Sequence, residues 1–508
     1  MGNFTKDWSA RWAMYSPNKV AIKEYDSGKS LTYSELHWLA SGLAVHFTQT
    51  LGLKKGDRVM VLAEHGWEYV VLFTVAQKTG LILVPVNYRL AGPEIAFLMR
   101  DCSPSLLIVQ DAFAEKVQDL AEYQEIGHHW SWGDLNTQLA QARERAMSFE
   151  APELGEDDPI FILYTSGTTG FPKGALYTHS MMMWNSLNTT LSLEINPNDL
   201  TINVMPPFHT GGWNVLLTPF LHRGATVGLL KKFEADRLLE LLEKEHATLF
   251  MAVPTMLKMM LDSPVMDEVK LHFMRYFIVG GEALPLPVIE AWHTRGIKIR
   301  QGYGLTEVGP NITSLHQSDA TRKIGSIGRP NFYVETKVVD DAGNPVGPNE
   351  VGEFCLRGPM RTPGYWQNEE ATEKAIVDGW FHTGDLVKQD PEGYIYVMDR
   401  KKHMFISGGE NVYPVEVERV LVTHPQISEA AVVAVPDERW GEVGRAFVVL
   451  QQDATIDDEA IKTFCTEHLA KFKVPKYVDI ITALPKNDTG KINKKALQEV
   501  EKHPQGSV

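Results

Sequence analysis

The chain predicts an α/β protein in several layers with a smaller α+β unit at its C-terminal end, and three observations predict it. Apolar β-rich runs alternate with helix-like stretches over 30–109 and again after Asp158. Between Ile324 and Met398 the texture changes to short strands punctuated by Gly, Pro, Asn and Asp. Behind the charged string Asp399-Arg400-Lys401-Lys402 the pattern starts afresh.

Runs such as Arg58-Val59-Met60-Val61-Leu62 and Leu81-Ile82-Leu83-Val84-Pro85-Val86 have no polar face, which is what strands covered by helices on both sides require. The second round predicts a strand over 160–163, an amphipathic helix over 236–246, and strands over 248–253 and 276–279. The expected large N-terminal domain, 1–399, therefore holds two α/β sheet subdomains, approximately 1–158 and 159–323. A small β-rich subdomain follows over 324–399, built of antiparallel hairpins around turns such as Asp340-Asp341-Ala342-Gly343-Asn344-Pro345. Residues 400–402 form a hinge and 403–508 a small α+β lid. The lid is expected to hold a helix over 414–422, a strand over 430–435, and a helix opening at Thr455 in capping-box spacing with Asp458. The apolar face of that last helix is Ile461, Phe464, Cys465 and Leu469.

Composition excludes several classes. With 508 residues, 44% of them hydrophobic, the chain can fill several cores. Asp plus Glu number 64 against 49 Lys plus Arg, a net charge of −15, which argues against a broad nucleic-acid footprint. Cys102, Cys355 and Cys465 stand far apart in no CxxC or Cys/His spacing, so neither a disulfide framework nor a zinc site is expected, and a cytoplasmic location fits. No run reaches about 18 apolar residues, so no integral membrane span is expected.

The most informative segment is Tyr164-Thr165-Ser166-Gly167-Thr168-Thr169-Gly170-Phe171-Pro172-Lys173-Gly174. Small residues let backbone N–H groups approach a polyphosphate, hydroxyls add donors, and Lys173 supplies a mobile charge. The spacing is not that of a Walker A loop, because Lys173 follows Gly170 by three places and precedes Gly174. Further strings recur along the chain: Gly280-Gly281-Glu282-Ala283, Gly302-Tyr303-Gly304-Leu305-Thr306-Glu307, Trp380-Phe381-His382-Thr383-Gly384-Asp385 and Pro485-Lys486-Asn487-Asp488-Thr489-Gly490-Lys491. With these motifs in this order the chain resembles the adenylate-forming superfamily, in its acyl-CoA synthetase branch, over nearly its whole length.

That resemblance implies a large domain, a mobile lid, and a site between them that uses ATP, Mg²⁺ and coenzyme A. ATP or AMP would contact Thr165, Ser166, Gly167, Thr168, Thr169, Gly170 and Lys173. Tyr303, between Gly302 and Gly304, would lie against adenine, with Gly281, Glu282 and Ala283 on the other face. Thr306 would donate to phosphate, and Glu307 offers the hard carboxylate that Mg²⁺ prefers. Asp385 and Arg400 resemble a ribose clamp, and Lys402 marks the hinge. His209, in Pro206-Pro207-Phe208-His209-Thr210-Gly211-Gly212, resembles a histidine that orients or admits the acid. Lys491 is the expected catalytic residue, an ammonium swung to where charge gathers as carboxylate attacks phosphorus.

The second half-reaction would present Gly408 and Gly409 as a channel for pantetheine, with Trp440 stacking on the adenine of coenzyme A and Phe472, Lys473 and Lys476 near its phosphates. Trp184, Trp213 and Val308 are expected to line the acyl pocket. A medium- or long-chain fatty acid is the expected substrate, with an aryl acid such as a hydroxycinnamate as the alternative. A ligase loading a carrier protein, and a catalytically silent nucleotide- or acyl-binding protein, are the rival readings. A homodimer is expected from the resemblance alone.

Overall fold

The computed structural model describes residues 6–146, 149–165, 172–281, 284–407, 410–487 and 491–500. Its first sheet runs in the spatial order His128–Ser131, Leu106–Val109, Arg58–Leu62, Ile82–Pro85, Pro159–Thr165 and Lys173–Thr178. All neighbours are parallel except the last pair, a hairpin whose connection carries the phosphate-loop string. The second sheet is assembled from Ser30–Thr32, Val20–Glu24, Thr226–Leu229 and Leu200–Asn203. It continues beside a run of Leu249–Ala252, Tyr276–Val279, Lys298–Leu305, Gly309–Ser314 and Arg329–Pro330. Thr248 N–H donates to Leu200 O at 2.9 Å where the two runs meet.

One apolar core joins both sheets: Val59, Leu83 and Phe161 of the first pack with Val227 and Leu249 of the second. Helix Trp67–Thr79 is buried from Glu68 to Thr79, which is the fate of a helix with layers on every side. The boundary expected at 158 is therefore crossed in both directions. Pro159–Thr165 and Lys173–Thr178 complete the first sheet, while Val20–Glu24 pairs in parallel with Thr226–Leu229 of the second. The reason is edge burial: the strand Thr226–Leu229 is buried and would otherwise present unpaired backbone groups on one side.

The β-rich unit is antiparallel as expected, in the order Glu335–Val339, Val351–Arg357, Trp380–Gln389 and Ile376–Val377, with Ile395–Arg400 added to Trp380–Gln389. Asp340 Oδ1 accepts the N–H groups of Ala342 and Asn344 and closes the predicted turn. In the lid, Ile427–Asp437 and Gly441–Leu450 form a long hairpin, flanked by Phe405–Ser407, Glu410–Val412 and Tyr477–Ile480. Helix Pro414–Leu421 falls where expected. The next helix opens later than Thr455: it spans Asp458–His468, because Asp457 accepts the Ala460 N–H at 2.8 Å and caps it instead. Ile461 and Cys465 form its buried face. No helix of the described residues is long and apolar enough to cross a membrane.

Candidate active site

Asp385 and Arg400 face each other across the antiparallel pair Trp380–Gln389 and Ile395–Arg400. Arg400 Nε lies 2.5 Å from Asp385 Oδ1; the aspartate side chain is 5% exposed and the arginine 44%. Tyr303 OH donates to the other oxygen, Oδ2, at 2.5 Å. Thr383 Oγ1 accepts the Asp385 N–H at 3.0 Å and donates to Phe354 O at 2.7 Å, which fixes the backbone beneath the carboxylate. Burial pushes the Asp385 carboxyl above its ordinary range, against the opposing pull of Arg400, Tyr303 and Lys491.

Tyr303 comes from the end of Lys298–Leu305, where the chain turns into the short 3₁₀ segment Thr306–Val308. Gly304 is required here, since a Cβ would meet Pro310 C at 2.3 Å and Gly309 O at 2.4 Å. Glu307 is held by Tyr365, whose hydroxyl donates to Oε1 at 3.0 Å, while Thr362 N–H donates to Glu307 O at 2.7 Å. Burial raises the Glu307 carboxyl, opposed by hydrogen bonds from Tyr365 and Thr165. Lys173 Nζ stands 5.4 Å from the Tyr365 ring centroid, and Lys173 pairs with Thr165 across the hairpin. Tyr365 thus links the hairpin that bears the phosphate loop to Glu307, and sequence reasoning missed it. Its neighbours hold the strap in place: Trp366 N–H donates to Gly174 O at 2.7 Å and Trp366 Nε1 to Asp101 O at 3.0 Å.

Lys491 arrives from the lid. A Cβ placed on Gly281 would be 3.8 Å from Lys491 Cε and 4.0 Å from Nζ. Asn487 Oδ1 accepts the Lys491 N–H at 3.0 Å and Lys491 O accepts the Asn487 N–H at 2.7 Å, so the backbone beside the ammonium is doubly tied. Where the β-rich unit meets the C-terminal unit, Asp399 accepts from Arg400 N–H at 2.6 Å and, through its other oxygen, from Val415 N–H of the helix Pro414–Leu421 at 3.0 Å. Burial, then the Arg400 charge, lower the affinity of Lys402 for its proton.

The expected site residues fall into distinct groups. Thr165, Lys173 and Glu307 lie together around the unexpected Tyr365, as do Gly281, Tyr303, Asp385, Arg400 and Lys491. Ser166, Gly167, Thr168, Thr169, Gly170, Glu282, Ala283, Gly408 and Gly409 lie outside the described residues. Trp184, Val308 and Tyr303 share one apolar cluster, with Trp184 edge-on to Tyr333 at 5.0 Å. Trp213 does not join them. Its ring is fully buried among His65, Tyr69, Phe73 and Phe161 in the core between the sheets, and Nε1 donates to Pro207 O at 2.6 Å. Trp440 and Phe472 are on the lid surface, 44% and 36% exposed. The cations near them are engaged: Lys473 Nζ lies 2.7 Å from Glu416 Oε1, and Lys476 pairs with Asp437. Among the described residues no group of three or more His, Cys, Asp or Glu could hold a metal ion. A single hard carboxylate such as Glu307 suits Mg²⁺ that takes its other ligands from phosphate and water.

Two family models match the chain: AMP-binding enzyme over residues 9–366 and AMP-binding enzyme C-terminal domain over residues 416–491. A feruloyl-CoA synthase of an Amycolatopsis species is 36% identical over 489 residues, covering 96% of this chain and 97% of that protein. A long-chain-fatty-acid–CoA ligase of Mycobacterium tuberculosis is also 36% identical over 489 residues, covering 96% of each. The crystal structure of ATP-bound MatB from Rhodopseudomonas palustris superposes with a TM-score of 0.90 at 31% identity, covering 99% of this chain and 100% of that one.

The Asp385 geometry has a consequence for stability. Arg400→Met leaves a buried carboxylate without its nearest opposing charge and should lower the thermal midpoint measured without ligand, by the equivalent of about 1–2 kcal/mol since the guanidinium is nearly half exposed. Adding Asp385→Asn should restore part of the loss. An unchanged midpoint in Arg400→Met would show that the pair does not hold this edge of the site.

Proposed function

This chain belongs to the AMP-binding enzyme family, and from that premise we propose how its residues divide the work of an AMP-forming acyl-CoA synthetase. It is an acid–thiol ligase that uses ATP, Mg²⁺ and coenzyme A. A carboxylate oxygen attacks the α-phosphorus of ATP, pyrophosphate leaves, and an acyl-adenylate forms. The thiol of coenzyme A then attacks the acyl carbon, AMP leaves, and a proton is released with it. We assign the large domain to 1–399, the hinge to 400–402 and the lid to 403–508, and we propose a cytoplasmic enzyme and a homodimer.

The observation that carries the assignment is the position of Lys491, a lid residue whose side chain stands beside Gly281 and whose charge acts on Asp385. An ammonium there meets negative charge growing on the attacking and α-phosphate oxygens, and it is set in place before the reaction rather than recruited from solvent. Asp385 accepts from the ribose hydroxyls with Arg400 holding the carboxylate in place, and the Tyr303 ring supplies a face for adenine. Thr306 donates to phosphate. Glu307 would hold the Mg²⁺ that comes with ATP, and the ion would neutralise charge on the phosphate oxygens. Thioester formation asks for a different lid surface at the same carbonyl, so the lid turns about Lys402 and brings the segment around 408–409, Trp440 and Phe472 to coenzyme A. In the present lid position Lys473 and Lys476 are paired with carboxylates; contact with the phosphates of coenzyme A exchanges those partners.

The acid is proposed to be a medium- or long-chain fatty acid entering beside Val308. A second reading, an aryl acid such as a hydroxycinnamate, is favoured by the edge-on Trp184–Tyr333 pair against the same cluster. Pyrophosphate release measured across short, medium, long and aryl acids separates the two: the fatty-acid reading requires the highest kcat/KM among medium or long chains.

Lys491→Ala should slow acyl-adenylate formation about a hundred- to a thousandfold while still converting supplied acyl-adenylate to thioester; equal loss of both steps would remove the assignment. Glu307 must be ionised to hold the metal, and its carboxyl is raised by burial. The acid limb of kcat/KM for Mg-ATP should therefore fall at a higher pH than an ordinary glutamate gives, with activity present above that pKa and lost below it. Glu307→Gln should abolish the limb along with most of the activity; an unshifted limb in the native enzyme would count against Glu307 as the metal carboxylate.

A further inference from the structure

Asn203 ends the strand Leu200–Asn203 and is 8% exposed. Its amide reaches both ends of the turn that follows. Oδ1 accepts the Met205 N–H at 3.1 Å, and Nδ2 donates to Gly212 O at 2.8 Å. Behind it stands His65, whose Nε2 lies 3.1 Å from Asn203 Nδ2. His65 is buried and its pKa is pushed down to about 4, so the ring is neutral, and its Nδ1 accepts the Gly66 N–H at 3.1 Å, which fixes the ring behind the amide. Between the two tied ends lie Pro206, Pro207, Phe208, His209, Thr210 and Gly211.

The turn is closed tightly. A Cβ on Gly212 would meet Pro206 O at 2.3 Å, Gly212 N–H donates to His209 O at 2.9 Å, and His209 N–H donates to Pro206 O at 3.3 Å. Pro206 and Pro207 fix φ at two positions on one side of His209, and on the other side His209 stands at the N-cap of the short helix Thr210–Trp213. The direction of the imidazole is then decided by whether the ends of the turn are held together. Asn203 spans the two ends, and Trp213 Nε1 holds Pro207 O between them at 2.6 Å. We propose that Asn203, backed by His65, is a positioning residue for His209: it touches no substrate and sets the imidazole at the acyl end of the site. This rests on the placement of His209 there by family resemblance.

A misplacement of about 1 Å in an orienting group can cost on the order of a hundredfold in rate, which is the scale at which such a clasp is visible. The test is a double-mutant cycle with Asn203→Ala, His209→Ala and both together. Acid-dependent ATP–pyrophosphate exchange gives KM for acid and for ATP, and thioester formation from supplied acyl-adenylate reports the second step. Asn203→Ala should lower kcat/KM for the acid about ten- to a hundredfold, leave KM for ATP and thioester formation unchanged, and add nothing in the His209→Ala background. If the two losses multiply, or if KM for ATP rises in step, Asn203 does not act through His209. If His209→Ala alone leaves the acid kinetics intact, it is the role of His209 that falls. Should Asn203→Ala not fold, His65→Leu, which removes the imidazole behind the amide, runs the same cycle with a smaller loss in the same direction.

Discussion

A carboxylate kept out of water is the constraint around which the site is arranged. Asp385 is 4% exposed, and a buried charge is tolerated only with partners. Three of those partners come from separate parts of the chain: Arg400 from the neighbouring strand, Tyr303 from the end of the second sheet, and the Lys491 charge from the lid. Satisfying one group therefore brings the β-rich unit, the second sheet and the lid into a common geometry. The alternation of a strand does the rest. Arg400 turns towards Asp385, while Asp399 turns the other way, 2% exposed, to accept from Val415 at the start of the lid helix Pro414–Leu421.

The lid meets the large domain there through charges and hydrogen bonds. Arg419 Nη2 donates to Val397 O at 3.0 Å, His403 Nδ1 lies 3.4 Å from Asp399 Oδ1, and inside the lid Lys494 pairs with Glu418 at 2.7 Å. Contacts of this kind exchange readily for others or for water, unlike an interlocked apolar face, and they would suit the turning joint proposed for the lid. The apolar core of the lid is separate from it, made by Phe405, Val417, Leu421, Ala446 and Ile461, so the lid can keep its own packing while its orientation changes.

Much of this was readable from residues alone, for physical reasons that differ from case to case. Strands such as Tyr276–Val279 were visible because burial on both faces demands an unbroken apolar run. The Asp340 turn was visible because Asp, Gly and Asn have few other uses in that order. The interleaving of the two sheets was not, because strand order depends on which edges must be covered, and periodicity carries no record of that. Asp457 rather than Thr455 caps its helix for a similar reason: both residue types cap, and packing chooses. Tyr365 escaped notice because an aromatic after glycine is ordinary until the fold lays it against Glu307 and Lys173. Trp213 erred in the other direction, since a tryptophan near a motif can equally be core, and here its ring fills the space between the sheets. The ion pairs of Lys473 and Lys476 could not be read at all, because Glu416 and Asp437 become their neighbours only after the lid has folded.

The lacing of the two sheets also bears on how the chain is made. Val20–Glu24 is synthesised before its parallel partner Thr226–Leu229, and the Thr226 hydroxyl bonds Val20 O across a separation of 206 residues. At the usual pace of synthesis, about 5–20 residues per second, that strand waits on the order of ten seconds or more with one edge unpaired. An exposed β-edge held for so long invites pairing with other nascent chains. Translation rate and chaperone supply therefore bear on the yield of this enzyme through the strand Val20–Glu24.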